Sequence, residues 1–436
     1  MTARTNTNHL RAALAVALAC AAAVLSQAAT SVASQSHRKP LSHAPRYPAG
    51  ATKPAFRASR KALAAASSGK PGKPKAPVLH GNPARGLRAF EAMQRSYYLL
   101  GSGLYKGEPF SFLWPFSQGL AATVSMSNVP AIAKVPALRA SFARELKARL
   151  IGLHNYYDAS NSGQPAGYFN STLPAYDGTV APPAGPGGTK YYDDNEWVGI
   201  ELMRIYEKTH EQGLLAAAEG IETFEMQGWE SSSGFACPGG IPFSNEFENA
   251  SRNTITTAPA AELGVQLYRA TKNAGYLGFA VQAYEWVRHC LLLPNNMYAD
   301  HIGRRGVVEP HLYSYTQGVM IGAGTLLYQA TGNAEYLYEA RQTAAAALAY
   351  FTSERLGAEN PFFPSVYFRN LMYLDAVTHD PPGPRLAQAY VDYSWLHLRL
   401  TNDLFVAGSP PSGQLLVQAA IVQIYALLAS PPSTYF

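Results

Sequence analysis

The chain has little charge for its length: 15% of its 436 residues are Asp, Glu, Lys or Arg. Acid is missing altogether from residues 1–85, which hold 13 of the 35 basic residues and leave 22 basic residues against 29 acids over 86–436. The overall charge of +6 therefore belongs to the N-terminal stretch, and the body of the chain is acidic. That balance argues against a nucleic-acid-binding groove in the main domain. Cysteine is scarce, with three in all. Cys20 falls in the leader, and Cys237 and Cys290 match no metal-ligand spacing. An oxidising compartment permits a bridge between them; two separate buried thiols are the alternative. Beyond the leader there is no unbroken apolar run of about 18 residues, the length that a membrane span requires. The chain also lacks a Gly-x-Ser-x-Gly elbow, a His-Glu-x-x-His pair and a phosphate-cradling loop. His301 and His311 share a long loop, but no partner stands at ligand spacing. Neither a metal nor a cofactor is expected.

What is present begins with a secretory leader. Arg4 and Arg11 supply the basic start, Ala12 to Leu25 the apolar stretch, and Ser31-Val32-Ala33 a small-residue cleavage site, so residues 1–33 read as a signal peptide. The mature protein is expected to be secreted or associated with the cell surface. Residues 34–85 are rich in Pro, Ala, Ser and Lys/Arg, with no apolar period, which predicts a disordered linker. It either leans on anionic wall or membrane polymers or serves as a solubilising spacer.

In residues 86–436 a pattern recurs. Leu267-Tyr268-Arg269-Ala270-Thr271-Lys272-Asn273-Ala274-Gly275-Tyr276-Leu277 aligns with Leu327-Tyr328-Gln329-Ala330-Thr331-Gly332-Asn333-Ala334-Glu335-Tyr336-Leu337, 60 positions on. A weaker copy lies at Ile205 to Thr209. Each copy joins two helical patterns through a short polar turn, with Asn where one helix stops and the next begins. Two helices and their loops fill about 60 residues, so the domain has room for six such hairpins. Six would close into an all-α (α/α)6 barrel; an open solenoid is the alternative, with repeats that are usually shorter. Periodicity places helices over 85–99, 113–131, 135–155, 195–209, 213–227, 258–270, 275–292, 315–331, 334–352, 365–377, 384–400 and 412–428. The long connections 156–190, 229–253 and 293–313 alternate with short turns and are expected at one end of the ring. Long loops in a compact domain are often functional.

The chemistry centres on Tyr191-Tyr192-Asp193-Asp194-Asn195-Glu196-Trp197, where two adjacent carboxylates open a helix among aromatics. Cleavage of a sugar linkage needs one carboxyl to donate a proton while another attacks or stabilises. Adjacent acids at a helix start also serve as caps and complement the helix dipole, which is the structural alternative. With this block stand the Gly239-Gly240-Ile241 turn, Arg252-Asn253-Thr254-Ile255-Thr256-Thr257, Tyr315-Thr316-Gln317-Gly318 and Phe368-Arg369. Together they resemble glycoside hydrolase family 76, the endo-α-1,6-mannanases, through most of 86–436. The resemblance implies an (α/α)6 barrel and a retaining mechanism, with Asp193 as nucleophile and Asp194 as general acid/base. Asp194 is then expected to have a raised pKa, from the neighbouring anion and partial burial. The resemblance also implies Arg252, Asn253 and Gln317 as sugar-binding polar groups. Tyr192, Trp197, Phe243 and Tyr315 are candidate stacking platforms; for each of these seven, a cap or core role is the alternative. Val198 stands where members of that family often carry a second aromatic, and Pro242-Phe243 where they often carry Trp-Trp.

The function expected is therefore a secreted retaining hydrolase of internal α-1,6-mannosidic bonds in a mannan-type polysaccharide or lipoglycan. A transglycosylase acting at the cell wall and a non-catalytic glycan-binding scaffold are the alternatives; the intact Asp pair speaks against the scaffold.

Overall fold

The computed structural model describes residues 78–159, 174–246, 251–407 and 414–436. The expected signal peptide and most of the expected linker lie outside these residues. In the described part, no helix is long and apolar enough to cross a membrane.

Fourteen helices run through the described residues. They are α1 Gly81–Tyr97, α2 Leu113–Asn128, α3 Pro130–Ala133, α4 Pro136–Leu153, α5 Tyr192–Thr209, α6 Gln212–Gly228, α7 Thr254–Thr271, α8 Ala274–Leu291, α9 Ser314–Thr331, α10 Ala334–Tyr350, α11 Ser353–Ala358, α12 Phe362–Thr378, α13 Pro382–Tyr393 and α14 Leu415–Leu427. Six of them, α2, α5, α7, α9, α12 and α14, each pack against the next, and α14 packs back on α2. Around this closed inner ring lie α4 on α2, α6 on α5, α8 on α7, α10 on α9, α13 on α12 and α1 on α14. This is the (α/α)6 barrel that the 60-residue repeat predicts. Burial follows from position: Thr254 to Leu267 of inner α7 are buried without a break, whereas outer α8 buries one stripe that includes Phe279, Ala280, Ala283, Tyr284 and Val287. A one-sided stripe suffices for a helix with solvent at its back; an inner helix has protein on all sides.

The repeat has a specific turn chemistry. The stop at the end of α7 and α9 is a left-handed residue, Lys272 (φ 61°) or Gly332 (φ 74°), whose N–H returns to the carbonyl of Tyr268 or Tyr328. Asn273 and Asn333, expected where one helix stops and the next begins, open the next helix. Their side chains accept from the N–H of Gly275 and Glu335, and the hydroxyls of Thr271 and Thr331 accept from their own N–H groups. An Asn cap satisfies a helix-start donor that would otherwise go unpaired.

Connections into inner helices are long and those out of them short, so the N-termini of the inner helices share one end with the long loops, as expected. Several boundaries move: α5 begins at Tyr192 rather than Asn195, α12 at Phe362 rather than Ser365, α13 ends at Tyr393 rather than Leu400, and the helix expected over 113–131 divides into α2 and α3. Helix α1 begins at Gly81 rather than Arg85, inside the stretch expected as linker, and α7 begins at Thr254 rather than Ala258. Pro259 marks a helix start by propensity, but the Thr254 and Thr256 hydroxyls donate to the carbonyls of Ala299 and Ile241 and hold an extra turn upstream. Cys237 and Cys290 form a disulfide, with Cα atoms 6.2 Å apart, that ties the 229–253 loop to α8.

Candidate active site

The loop before α5 is held from several directions. The Lys190 ammonium, wholly buried, pairs with Asp177 at 2.9 Å and Asp158 at 3.2 Å. A buried charge is tolerated only when paired in this way. The Lys190 N–H donates to Asn245 Oδ1, and the Tyr192 N–H to the Phe243 carbonyl. Asn195 then accepts from the Tyr176 N–H at 2.9 Å and donates to the Tyr176 carbonyl at 3.0 Å. The Asp pair thus sits on a helix start that cannot easily rotate.

Asp193 and Asp194 occupy the first turn of α5. Their settings differ. Asp194 is 7% exposed and accepts the backbone N–H of Trp114 at the start of α2; burial, and then the charge of Asp193, push its pKa well above the ordinary carboxylate range. Asp193 is half-buried. Burial, with a contribution from the Asp300 charge, raises it to about 7, against the pull of nearby backbone N–H groups. Two carboxyls this close favour one shared proton, and the more buried one is the better place to keep it.

Asp300 is the residue that sequence reasoning missed. It lies in the 293–313 loop, bonded to His301 Nδ1 at 2.8 Å, and its charge reaches Asp193, Tyr313 and Tyr315. The only signal was its place in a long loop beside a histidine. Around the pair runs an aromatic wall. Tyr315 stacks on Phe363 (centroids 4.2 Å apart), Tyr313 meets Phe363 edge-on at 5.3 Å, and Trp114 and Trp197 both meet the buried Phe362, at 5.2 and 5.6 Å. Tyr315 and Phe243 are half-buried, which leaves each with surface for a ligand. Asn253, at 7% exposure, lies in a short strand against His301.

Four residues expected to touch sugar are buried among partners of their own. The Arg252 side chain is wholly buried and spends both terminal nitrogens on the carbonyls of Ala236, Cys237, Gly239 and Gly303. It anchors the disulfide loop rather than facing a sugar. Tyr192 is likewise buried, stacked on Phe224 at 4.5 Å. Trp197, 3% exposed, packs beneath the wall rather than on its face. Gln317 brackets Tyr298, accepting its N–H at 2.8 Å and donating to its carbonyl at 3.0 Å. The same device recurs at the fourth residue of other inner helices: Asn195 on Tyr176 in α5, and Gln418 on Phe405 in α14. In α7, Thr256 and Thr257 bracket Ile241. These amides and hydroxyls fasten each loop to the helix it precedes.

A sequence model of glycosyl hydrolase family 76 matches residues 151–373. Among curated proteins, mannan endo-1,6-alpha-mannosidase DCW1 of Candida glabrata is 23% identical over 167 residues, and its Saccharomyces cerevisiae counterpart 24% over 166; each match covers 35% of this chain. The match spans about a third, 36%, of the length of these relatives. Among solved structures, a family 76 mannosidase from Bacteroides thetaiotaomicron superposes with a TM-score of 0.66 at 21% identity, covering 80% of this chain and 98% of that one. The α-1,6-mannanase of Salegentibacter sp. HEL1_6 gives 0.62 at 20% identity, covering 80% and 99%. An inactive variant of that mannanase, with two consecutive aspartates replaced by asparagine, is known in complex with α-1,6-mannotriose; it gives 0.61 at 19% identity over the same shares.

Proposed function

The chain belongs to glycosyl hydrolase family 76, and from that membership we propose that it hydrolyses internal α-1,6-mannosidic bonds of an exported mannan or lipoglycan with retention of configuration. The observation that carries this reading is the adjacent Asp193 and Asp194 at the loop end of the barrel, in unlike settings. Asp193 keeps the more open face and attacks the anomeric carbon. Asp194 holds a proton against the Trp114 turn, passes it to the leaving oxygen, and later takes one from the water that releases the sugar. Tyr315, Phe243 and the edge of Asn253 offer the sugar an apolar wall with a polar rim. Arg252, Gln317, Tyr192 and Trp197 act one layer back, by fixing the loops and the floor. The mannotriose complex of the distant Salegentibacter enzyme supports the substrate class, and its paired aspartates support the assignment of the acids.

The test is turnover of linear α-1,6-mannan by wild type, Asp193→Asn and Asp194→Asn. Each variant should lose at least about a thousandfold in rate, since a positioned carboxyl lowers the barrier by several kcal/mol, while keeping its melting temperature within a few degrees. Wild-type turnover in either folded variant would end the mechanism.

A further inference from the structure

Arg369 belongs to the sequence pattern but not to the chemistry above. It lines a polar cavity inside the barrel, with Gln118, Trp197, Glu201, Arg204 and Gln423, and with Ser430, Thr434 and Tyr435 at its border. The charge there does not balance. Glu201 accepts from Arg204 at 2.7 Å and from Arg369 at 3.3 Å, so two guanidiniums share one carboxylate. All three side chains are at least nine-tenths buried. The remaining contacts of Arg204 go to neutral groups, Ser125 Oγ and the Thr434 carbonyl, both accepting. The next acid facing Arg369 is Glu262, whose carboxyl oxygens make no hydrogen bond to it and whose burial raises its pKa to about 8 against the pull of Arg369. Arginine does not give up its proton in a protein. Among the described residues, one of the two guanidiniums therefore has no carboxylate of its own, at a cost of several kcal/mol if its charge is left unpaired.

The unused hydrogen-bonding groups point the same way. Arg204 Nε, Arg369 Nε and Trp197 Nε1 are buried and without a partner. All three are donors that cannot accept, and they belong to residues lining one cavity. The room it leaves for the centre of a water-sized group, about 20 Å³, suits a monatomic ion or one to two waters.

We propose that this cavity is a binding site for a small monovalent inorganic anion of the chloride class, held between Arg204 and Arg369 beneath Trp197. The anion supplies the missing negative charge. Because Trp197 lies on the same helix as the Asp pair, the site stiffens the floor under the catalytic turn. The site does not depend on the proposed mannanase activity, and its test needs no substrate.

The experiment is thermal unfolding of the full chain at constant ionic strength, replacing sodium gluconate stepwise by sodium bromide. A site for a small anion gives a saturable rise, about 2–5 °C once the anion exceeds its dissociation constant a hundredfold. Arg369→Gln, which removes the excess charge, should abolish the rise. Crystals of wild type soaked in bromide supply a second reading that does not depend on the variant folding: an anomalous peak should lie between the Arg204 and Arg369 side chains. Equal melting temperatures in gluconate and bromide, an unsaturable rise that persists in Arg369→Gln, or no bromide peak in the cavity would each overturn the proposal.

Discussion

Asp193 and Asp194 have the same side chain and differ only in what surrounds them. Asp194 is turned under the first residues of α2, where it accepts the backbone N–H of Trp114 and the neighbouring anion discourages ionisation. Asp193 has nearby backbone N–H groups that favour its charged form, but the Asp300 charge opposes them. In the proposed roles Asp193 must be ionised and Asp194 protonated, so kcat/KM should fall as pH drops through about 7, where Asp193 takes up its proton. Asp300→Asn removes a negative charge that raises Asp193. The acid limb should therefore move to lower pH, by up to about one unit. A pH–rate profile on a soluble mannooligosaccharide checks both, and an unmoved limb would show that Asp300 does not act on the nucleophile.

The elements show how a repeated helical hairpin becomes a site. The inner helices begin at the loop end, and in α5, α7, α9 and α14 polar side chains of the first turns bracket a residue of the loop before. Gln317 is the clearest case: Tyr298 finds its partners for both backbone groups in that one amide. Gln317→Leu leaves a buried N–H and C=O unsatisfied and should cost about 2–4 kcal/mol of stability, read from denaturant unfolding. A variant as stable as wild type with a raised KM would instead return Gln317 to the sugar. The disulfide works on the same loop layer. Its 53-residue separation corresponds in the chain-entropy picture to about 4 kcal/mol. It also holds Cys237, whose carbonyl accepts from Arg252 and from Trp286 Nε1. A Cys237→Ser, Cys290→Ser variant should melt well below wild type, with proteolysis beginning in the 229–246 loop; an unchanged melting temperature would show that the Arg252 anchor suffices alone.

The whole ring is closed by residues far apart in sequence. Helix α1 covers α14, burying Leu87, Phe90 and Met93, and Arg85 reaches Asp392 at the outer surface. Removing residues 1–77 leaves every described contact in place, so turnover of soluble oligosaccharide should match the full chain. Removing 1–97 strips α14 of its cover. Three large apolar side chains at about 1.5–3 kcal/mol each amount to much of the stability of an ordinary domain, so that fragment should aggregate or melt far lower. Comparing the two truncations by melting curves and activity separates a dispensable tail from a structural helix.

Much of this architecture was legible in residues close together along the chain. Helix positions followed from apolar spacing and from the Asn273 and Asn333 caps, the number of hairpins from a 60-residue period, and the acids from one heptapeptide. Those features depend on interactions within a few residues, which a linear pattern records. Tertiary structure alone decided what faces what: that Arg252 and Gln317 serve carbonyls, that Asp300 comes to Asp193 from 107 positions away, that Cys237 meets Cys290, and that two arginines share one glutamate inside the barrel. Such contacts exist only once the ring has closed, because closure brings together helix faces and loops that no local rule relates.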